Sequence, residues 1–274
     1  MNSKPYNWKI IVITGGGSGI GRALAEEYGR LGATVVVTDI NGTTAQMVAT
    51  GIVAAGGRAE ASVLDVTDAV AFQKLIDNIA IRHSRIDYLF NNAGINIIGE
   101  AKDTSLADWR RIVEINLMGV IHGVTAAYPL MIRQGSGHIV NTASISGLAP
   151  FPLSVGYNAS KYAVVGLTTS LRTEAASYGV RVSCVCPGFI DTPMKDNNQY
   201  LKIDKKIAIE NLPFKLHPVE WCARYIIRNV AKNKPVIIVT PQAKLIALFY
   251  RLFPGLFIRI NIIAAAKSRK VFEK

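Results

Sequence analysis

The chain has 274 residues, half of them hydrophobic and 18% charged, a composition that excludes a disordered or fibrous protein and allows one large α/β domain. Three cysteines, Cys184, Cys186 and Cys222, are too few for a disulfide framework, and with His83, His122, His138 and His217 they show no metal-ligand spacing. The net charge of +12 is concentrated, residues 224–274 holding eleven Lys or Arg against the single acid Glu273, which points to an anionic surface or ligand at that end.

Residues 1–9 lead into only a short apolar run, so no secretory leader is expected and a cytoplasmic protein is the expectation. In chain order, apolar and β-branched runs at 10–13, 34–38, 61–64, 86–90, 138–141, 180–185 and 236–239 predict seven strands. Between them, 20–31, 43–55, 69–82, 106–133 and 157–178 have the length and patterning of helices, with Gly32 and Gly179 where C-terminal caps belong. Strands apolar on both faces, alternating with helices, predict a doubly wound, mostly parallel sheet of the Rossmann type in one catalytic domain, residues 1–240. Residues 192–216 break this rhythm, with Pro193 and Pro213 near their ends, and predict a mobile flap.

A helical appendage, residues 241–274, follows. Its first piece, 243–253, is apolar nearly all round, with Lys244 and Arg251 on one stripe. Pro254-Gly255 breaks it, and 256–266 repeats the style with Arg259 and Asn261, followed by Lys267, Arg269 and Lys270. No stretch approaches 18 uncharged residues, so neither piece is expected to span a bilayer. Two readings stay open: an interfacial segment on an anionic membrane, making the protein peripheral, or a cover over a pocket or a partner subunit.

The turn Thr14-Gly15-Gly16-Gly17-Ser18-Gly19-Ile20-Gly21 follows the first predicted strand and opens the first helix, where backbone amides can face a pyrophosphate. Tight turns need glycines too, and the position between strand and helix is what favours the phosphate reading. Asp39 ends the second strand, eighteen residues after Gly21, where a carboxylate can accept from adenosine ribose hydroxyls and would repel a 2′-phosphate. Ile40, Asn41 and Ser18 supply no cation to reverse this, so NAD is predicted over NADP. The alternative is that Asp39 merely caps the next helix.

Tyr157 and Lys161 are four residues apart at the start of a predicted helix, on one face. A tyrosine must lose about three pKa units, roughly 4 kcal/mol, to serve as a base at neutral pH. A cation at ~4 Å and an effective dielectric of ~20 supplies about that much, so Lys161 is expected to lower Tyr157. Ser144 follows the fifth strand and Asn116 lies within the long helix before it.

These residues resemble the short-chain dehydrogenase/reductase family over residues 10–194: the glycine motif, Asp65-Val66, the Asn91–Gly94 turn with Asn92 and Ala93, Pro187-Gly188, and the quartet Asn116, Ser144, Tyr157 and Lys161. The resemblance implies proton transfer by Tyr157 as hydride passes between an alcohol carbon and the nicotinamide, with Ser144 stabilising charge on the substrate oxygen. It implies that Lys161 holds the nicotinamide ribose and Asn116 anchors a relay water. It also assigns Gly15, Ser18, Gly19, Ile20, Asp39, Asp65, Val66, Asn92, Ala93, Gly94, Pro187, Gly188, Ile190 and Thr192 to cofactor binding, and implies a homodimer or homotetramer.

Ile95, Ile97, Leu148, Phe151, Leu153, Val155, Phe189 and Met194 surround the expected site, so a hydrophobic, lipid-like alcohol or ketone is the expected substrate. A catalytically silent NAD-binding sensor or scaffold is the rival reading, opposed by the intact quartet. Nucleic acid is not expected as a partner, since the basic residues of the tail are interleaved with aliphatic ones and no nucleic-acid module is present.

Overall fold

Strand β1 (Ile10–Thr14) buries all five of its residues, as expected of a strand covered on both faces. It sits near the middle of a sheet built in chain order from α1 (Gly19–Arg30), β2 (Thr34–Asp39), α2 (Gly42–Ala54), β3 (Arg58–Val63), α3 (Ala69–His83), β4 (Tyr88–Asn91), β5 (Ile97–Ile98), α4 (Leu106–Val113), α5 (Gly119–Gln134), β6 (Gly137–Thr142), α6 (Val155–Ala175), β7 (Val180–Cys186), α7 (Met194–Asn197), β8 (Gln199–Tyr200), α8 (Lys205–Glu210), α9 (Val219–Ala231), β9 (Val236–Ile238), α10 (Pro241–Leu252) and α11 (Pro254–Phe272). This computed structural model describes residues 4–210 and 214–272. Of the residues singled out in the sequence, Pro213 and Glu273 lie outside it, as does the side chain of Lys270.

Seven strands pair in parallel in the order β3-β2-β1-β4-β6-β7-β9. Successive residues of β1 feed opposite layers. Ile11 and Ile13 pack with Leu24 and Tyr28 of α1, Val48 of α2 and Ile226 of α9, while Ile10 and Val12 pack with Phe72 and Ile76 of α3 and Met131 of α5. The chain leaves β1 toward β2 on one side and later returns to β4 on the other. The carboxyl ends of β1 and β4 thus form the switch point where doubly wound sheets bind ligands.

All seven expected strands are present, and the differences from expectation have local causes. β3 begins at Arg58, ahead of the expected 61, because it is an edge strand with half-exposed alternating polar residues. The expected helix 106–133 is interrupted by a π turn at Glu114–Met118 between α4 and α5. Helix α9 was not expected, although Cys222, Ala223, Ile226, Ile227 and Val230 give it a helical apolar stripe. The expected flap carries α7, β8 and α8, and β8 pairs with β5 in a separate two-stranded sheet.

Candidate active site

The glycine turn joins β1 to α1 at the switch point. Gly15 has φ +62°, and a Cβ there would lie 2.9 Å from Ala93 Cα, so only glycine lets the two turns touch. Thr14 ties them from below: its Oγ1 accepts from the backbone amides of Asn92 (3.0 Å) and Ala93 (3.1 Å). Asn92 Nδ2 donates back to Thr14 O at 3.1 Å. Ser18, the N-cap of α1, makes no side-chain cap bond, so the first-turn amides at Gly19 and Ile20 are left to face an anion. Thr192, from the segment after β7, packs beside the ideal Cβ position of Gly19 at 3.4 Å.

Asp39 sits at the end of β2 beside this turn, its Oδ2 accepting from Gly17 N and its Oδ1 from Asn41 N, both at 3.0 Å. It is not the helix cap: Asn41 caps α2 by accepting from Thr44 N at 3.2 Å. Each carboxylate oxygen keeps further acceptor capacity. Asp65, exposed after β3, accepts from Thr67 N and Thr67 Oγ1 at 2.9 and 2.8 Å, and Val66 beside it is buried.

Two of the quartet, Asn116 and Lys161, meet at Gly94, and Tyr157 joins Lys161 to Ser144. A Cβ built at Gly94 would lie 3.1 Å from Asn116 Oδ1 and 3.4 Å from Lys161 Nζ. Asn116, fully buried in the π turn, spends its amide on the Ile95 main chain and on Ser160. Its Oδ1 accepts from Ile95 N at 2.8 Å, and its Nδ2 donates to Ile95 O at 2.9 Å and Ser160 Oγ at 3.1 Å. The side chain thereby fixes the backbone after Gly94, so a relay role would fall to the main chain of the π turn. Ser144 Oγ accepts from Ser146 N at 3.1 Å, leaving its own proton to donate. The Pro187 carbonyl accepts from Ile145 N at 2.8 Å and holds this turn to the end of β7. Gly188 follows, crowded against Thr240 and Ala243, and Ile190 bridges to His217.

Lys161 corrects the electrostatic expectation. The residue is 3% exposed, and its ammonium donates to Thr142 O at 2.8 Å and stands over the Tyr157 ring, 5.6 Å from the centroid. Burial lowers Lys161 to about 8. Burial also raises Tyr157, whose hydroxyl is enclosed while the residue as a whole is partly exposed, and the neighbouring Ser144 hydroxyl offsets this only in part. In the protein alone, desolvation is the largest influence on both groups. Thr142 gave no signal in the sequence, because nothing about a strand-end threonine marks its carbonyl as a lysine acceptor.

The apolar rim is assembled from distant segments. Gly99 N donates to Leu153 O at 2.8 Å, and the Phe189 and Phe214 rings lie 4.9 Å apart. Three of the five flap lysines are tied to carboxylates: Lys195 to Asp191, Lys202 to Asp103 and Lys205 to Asp196. Helix α11 reaches over this rim. The Phe257 ring meets Phe151 at 6.4 Å, Asn261 Nδ2 donates to Pro150 O at 2.9 Å, and Arg269 pairs with Glu100 at 2.6 Å.

The histidines have other partners. His138, beside Ser183 Oγ at 2.9 Å, is held neutral by burial and nearby arginines, its pKa lowered to about 3. His122 contacts Val66 O, His83 Glu60 and His217 Gln242. Among the described residues no cluster of potential ligands for a metal occurs. Cys184 and Cys186 are buried free thiols, their sulfurs 3.8 Å apart.

An uncapped glycine-rich turn at a sheet switch point, beside a partly exposed tyrosine and a buried serine and lysine, defines a class: the nicotinamide-dependent oxidoreductases. Residues 9–201 match the family described as short chain dehydrogenase, and the chain belongs to that family. It is 38% identical over 195 residues to cyclohexanol dehydrogenase of Acinetobacter sp. (strain SE19), covering 70% of this chain and 77% of that protein. It is 31% identical to SadH of Mycobacterium tuberculosis (strain CDC 1551 / Oshkosh) over 96% of this chain and 97% of that one. A short-chain dehydrogenase/reductase from Burkholderia phymatum, solved in complex with NAD, superposes with a TM-score of 0.84 at 30% identity, covering 93% of this chain and 96% of that one.

Proposed function

We propose that the protein interconverts a hydrophobic secondary alcohol and its ketone, with NAD as the preferred cofactor. The observation that carries this reading is the buried Lys161 ammonium, held at 2.8 Å by Thr142 O and standing over the Tyr157 ring, with the Ser144 hydroxyl beside the Tyr157 hydroxyl. A buried cation is costly to maintain, and here it stands beside a tyrosine and a serine whose hydroxyls suit a proton transfer.

The residues present fit a dinucleotide: the uncapped first turn of α1 for the pyrophosphate, Asp39 for the adenosine ribose, Asp65-Val66 for the adenine end, and Asn92 to Gly94, Lys161 and the segment from Pro187 to Thr192 for the nicotinamide end. When bound, such a cofactor supplies the hydride chemistry. Tyr157 Oη takes the alcohol proton or returns it to the carbonyl oxygen. Ser144 donates to that oxygen and stabilises the charge developing there. Lys161 donates to ribose hydroxyls and offers its positive charge to a deprotonating Tyr157. Asn116 keeps Ile95 in place, and the main chain of its π turn is the natural holder of a relay water.

Substrate class is supported by the apolar rim, Ile97, Leu148, Phe151, Leu153 and Phe189, and by the pairing of Lys195, Lys202 and Lys205 of the flap with carboxylates, which leaves those three poorly placed to select an acidic substrate. Cyclohexanol dehydrogenase, named for a cyclic secondary alcohol, is consistent with this. The test is absorbance of reduced cofactor formed from secondary alcohols of increasing size, with NAD and NADP in parallel. NAD-linked activity that rises with hydrophobic size is expected. Silence across the panel, with NAD binding demonstrated, would support a non-catalytic nucleotide-binding module instead.

The NAD preference has its own test. Asp39→Asn keeps an acceptor oxygen near Gly17 N and removes the charge, so the NADP-to-NAD ratio of kcat/KM should rise about tenfold or more, a modest share of a unit charge–charge repulsion at the protein surface. Equal use of both cofactors by the native protein would refute the preference.

A further inference from the structure

Helix α11 has two unlike sides. Phe257, Asn261, Ala265 and Arg269, at i, i+4, i+8 and i+12, form an inner seam in which Phe257 is buried, Asn261 and Ala265 are half-buried and Arg269 is paired. Through this seam the helix is pinned to Phe151, Pro150 and Glu100. Opposite the seam, Leu256, Ile260 and Ile263 recur at i, i+4 and i+7, and Lys267 continues the stripe at i+11. These three aliphatic residues are between 48% and 71% exposed. Helix α10 repeats the pattern: Ala243 is buried, whereas Leu245, Leu248 and Leu252 lie open beside the exposed Arg251.

Exposed aliphatic side chains recurring along two successive helices need an occupant, and the charge around them says which. Residues 221–272 contain no Asp or Glu at all. Arg251, Arg259 and Lys267 are exposed and take part in none of the ion pairs among the described residues. A two-fold contact with a second copy would set this basic face against itself, with no acid to neutralise it. An anionic bilayer offers both complements, a hydrocarbon boundary for the leucines and isoleucines and phosphate or carboxylate headgroups for the cations. The two helices meet at a bend of 118°, so they do not form one straight span; they suit lying along an interface.

We propose that the outer face of α10 and α11 docks on an anionic lipid surface, so that the rim framed by Phe151 and Glu100, to which α11 is pinned, faces the headgroup layer. An apolar alcohol or ketone dissolved in the bilayer then reaches the candidate active site without crossing bulk water. The docking itself rests on the surface alone, independent of the substrate proposed above.

The test is co-sedimentation of the full chain with phosphatidylcholine vesicles, with and without phosphatidylserine, at low and high salt, with no turnover measured. Binding is expected only when phosphatidylserine is present, and weaker in salt. Arg251→Gln, Arg259→Gln and Lys267→Gln combined should lower partitioning about a hundredfold, each cation contributing roughly a factor of five. Leu248→Glu with Ile263→Glu should abolish it while circular dichroism and mass by light scattering stay unchanged. Equal binding to pure phosphatidylcholine, or no binding to phosphatidylserine vesicles at low salt, would overturn the proposal. So would a fall in particle mass in the glutamate variant, which would make the face a contact between copies. Turnover of a water-soluble cyclic alcohol without vesicles reports separately on the active-site reading.

Discussion

Replacing Tyr157 with Phe should lower turnover by about 10²–10⁴-fold, the usual contribution of a positioned proton donor or acceptor and equivalent to roughly 3–5 kcal/mol of barrier. Cofactor affinity should hardly change, because the ring under the Lys161 ammonium remains and only the hydroxyl is lost. In the native protein the direction of the Tyr157 shift sets the pH profile. Burial raises the phenol above its ordinary value, so at neutral pH the hydroxyl is protonated and ready to donate to a carbonyl oxygen. Alcohol oxidation needs the phenolate and should therefore accelerate as pH rises, while ketone reduction should fall over the same range. Ser144→Ala should cost less, since it removes one hydrogen bond to the substrate oxygen and leaves the proton carrier. Stopped-flow or steady-state rates in both directions, measured against pH for native protein and both variants, check this. Near-normal turnover in the phenylalanine variant, or flat profiles in both directions, would show that another group moves the proton.

The sheet was legible because its signal is redundant. Each of β1, β2, β4, β6 and β7 is an apolar run long enough to be covered on both faces, and the glycine turn follows the first of them directly. Tyr157, Lys161 and Ser144 were legible for a different reason, since helical spacing and the end of a strand fix where side chains go before any packing is known. What escaped the sequence depends on tertiary context. The π turn at Glu114–Met118 is one extra residue per turn within a helical pattern, invisible to a period of 3.6. The fourth position, Asn116, could be named, yet its commitment to Ile95 could not, because 21 residues separate the two. The flap looked structureless because β8 is two residues long and exists only by pairing with β5, about a hundred residues earlier. The sequence left two readings of the tail open, and the contacts of α11 with Phe151, Pro150 and Glu100 bear only on the reading of a cover. Its inner seam covers the rim, and its outer face remains open.

Lys161→Met should stabilise the fold while abolishing activity. The ammonium is almost wholly buried, and the one hydrogen bond shown for it goes to a neutral carbonyl, Thr142 O. Its pKa of about 8 lies below the ordinary lysine value of 10.5. That difference corresponds to about 3 kcal/mol by which folding disfavours the charged form. The sign follows from proton counting: between pH 8 and 10.5 the unfolded chain holds a proton that the folded one has released, so native stability attributable to this group rises with pH there and is lowest below 8. Methionine fills similar volume without charge, so the variant should melt several degrees higher at pH 7, and the advantage should shrink toward pH 10 as the native lysine discharges. Comparing variant with native protein isolates Lys161 from the other titrating groups around it, Tyr157, Cys184 and Cys186. Melting curves at pH 7 and 10, beside turnover, read both effects. A variant that melts lower at pH 7 would mean that the contact with Thr142 outweighs the buried charge, and that the lysine is a structural strut. A variant that is more stable and inactive identifies a charge kept against the interest of the fold, for cofactor ribose hydroxyls and a deprotonating phenol that give the cation its partners.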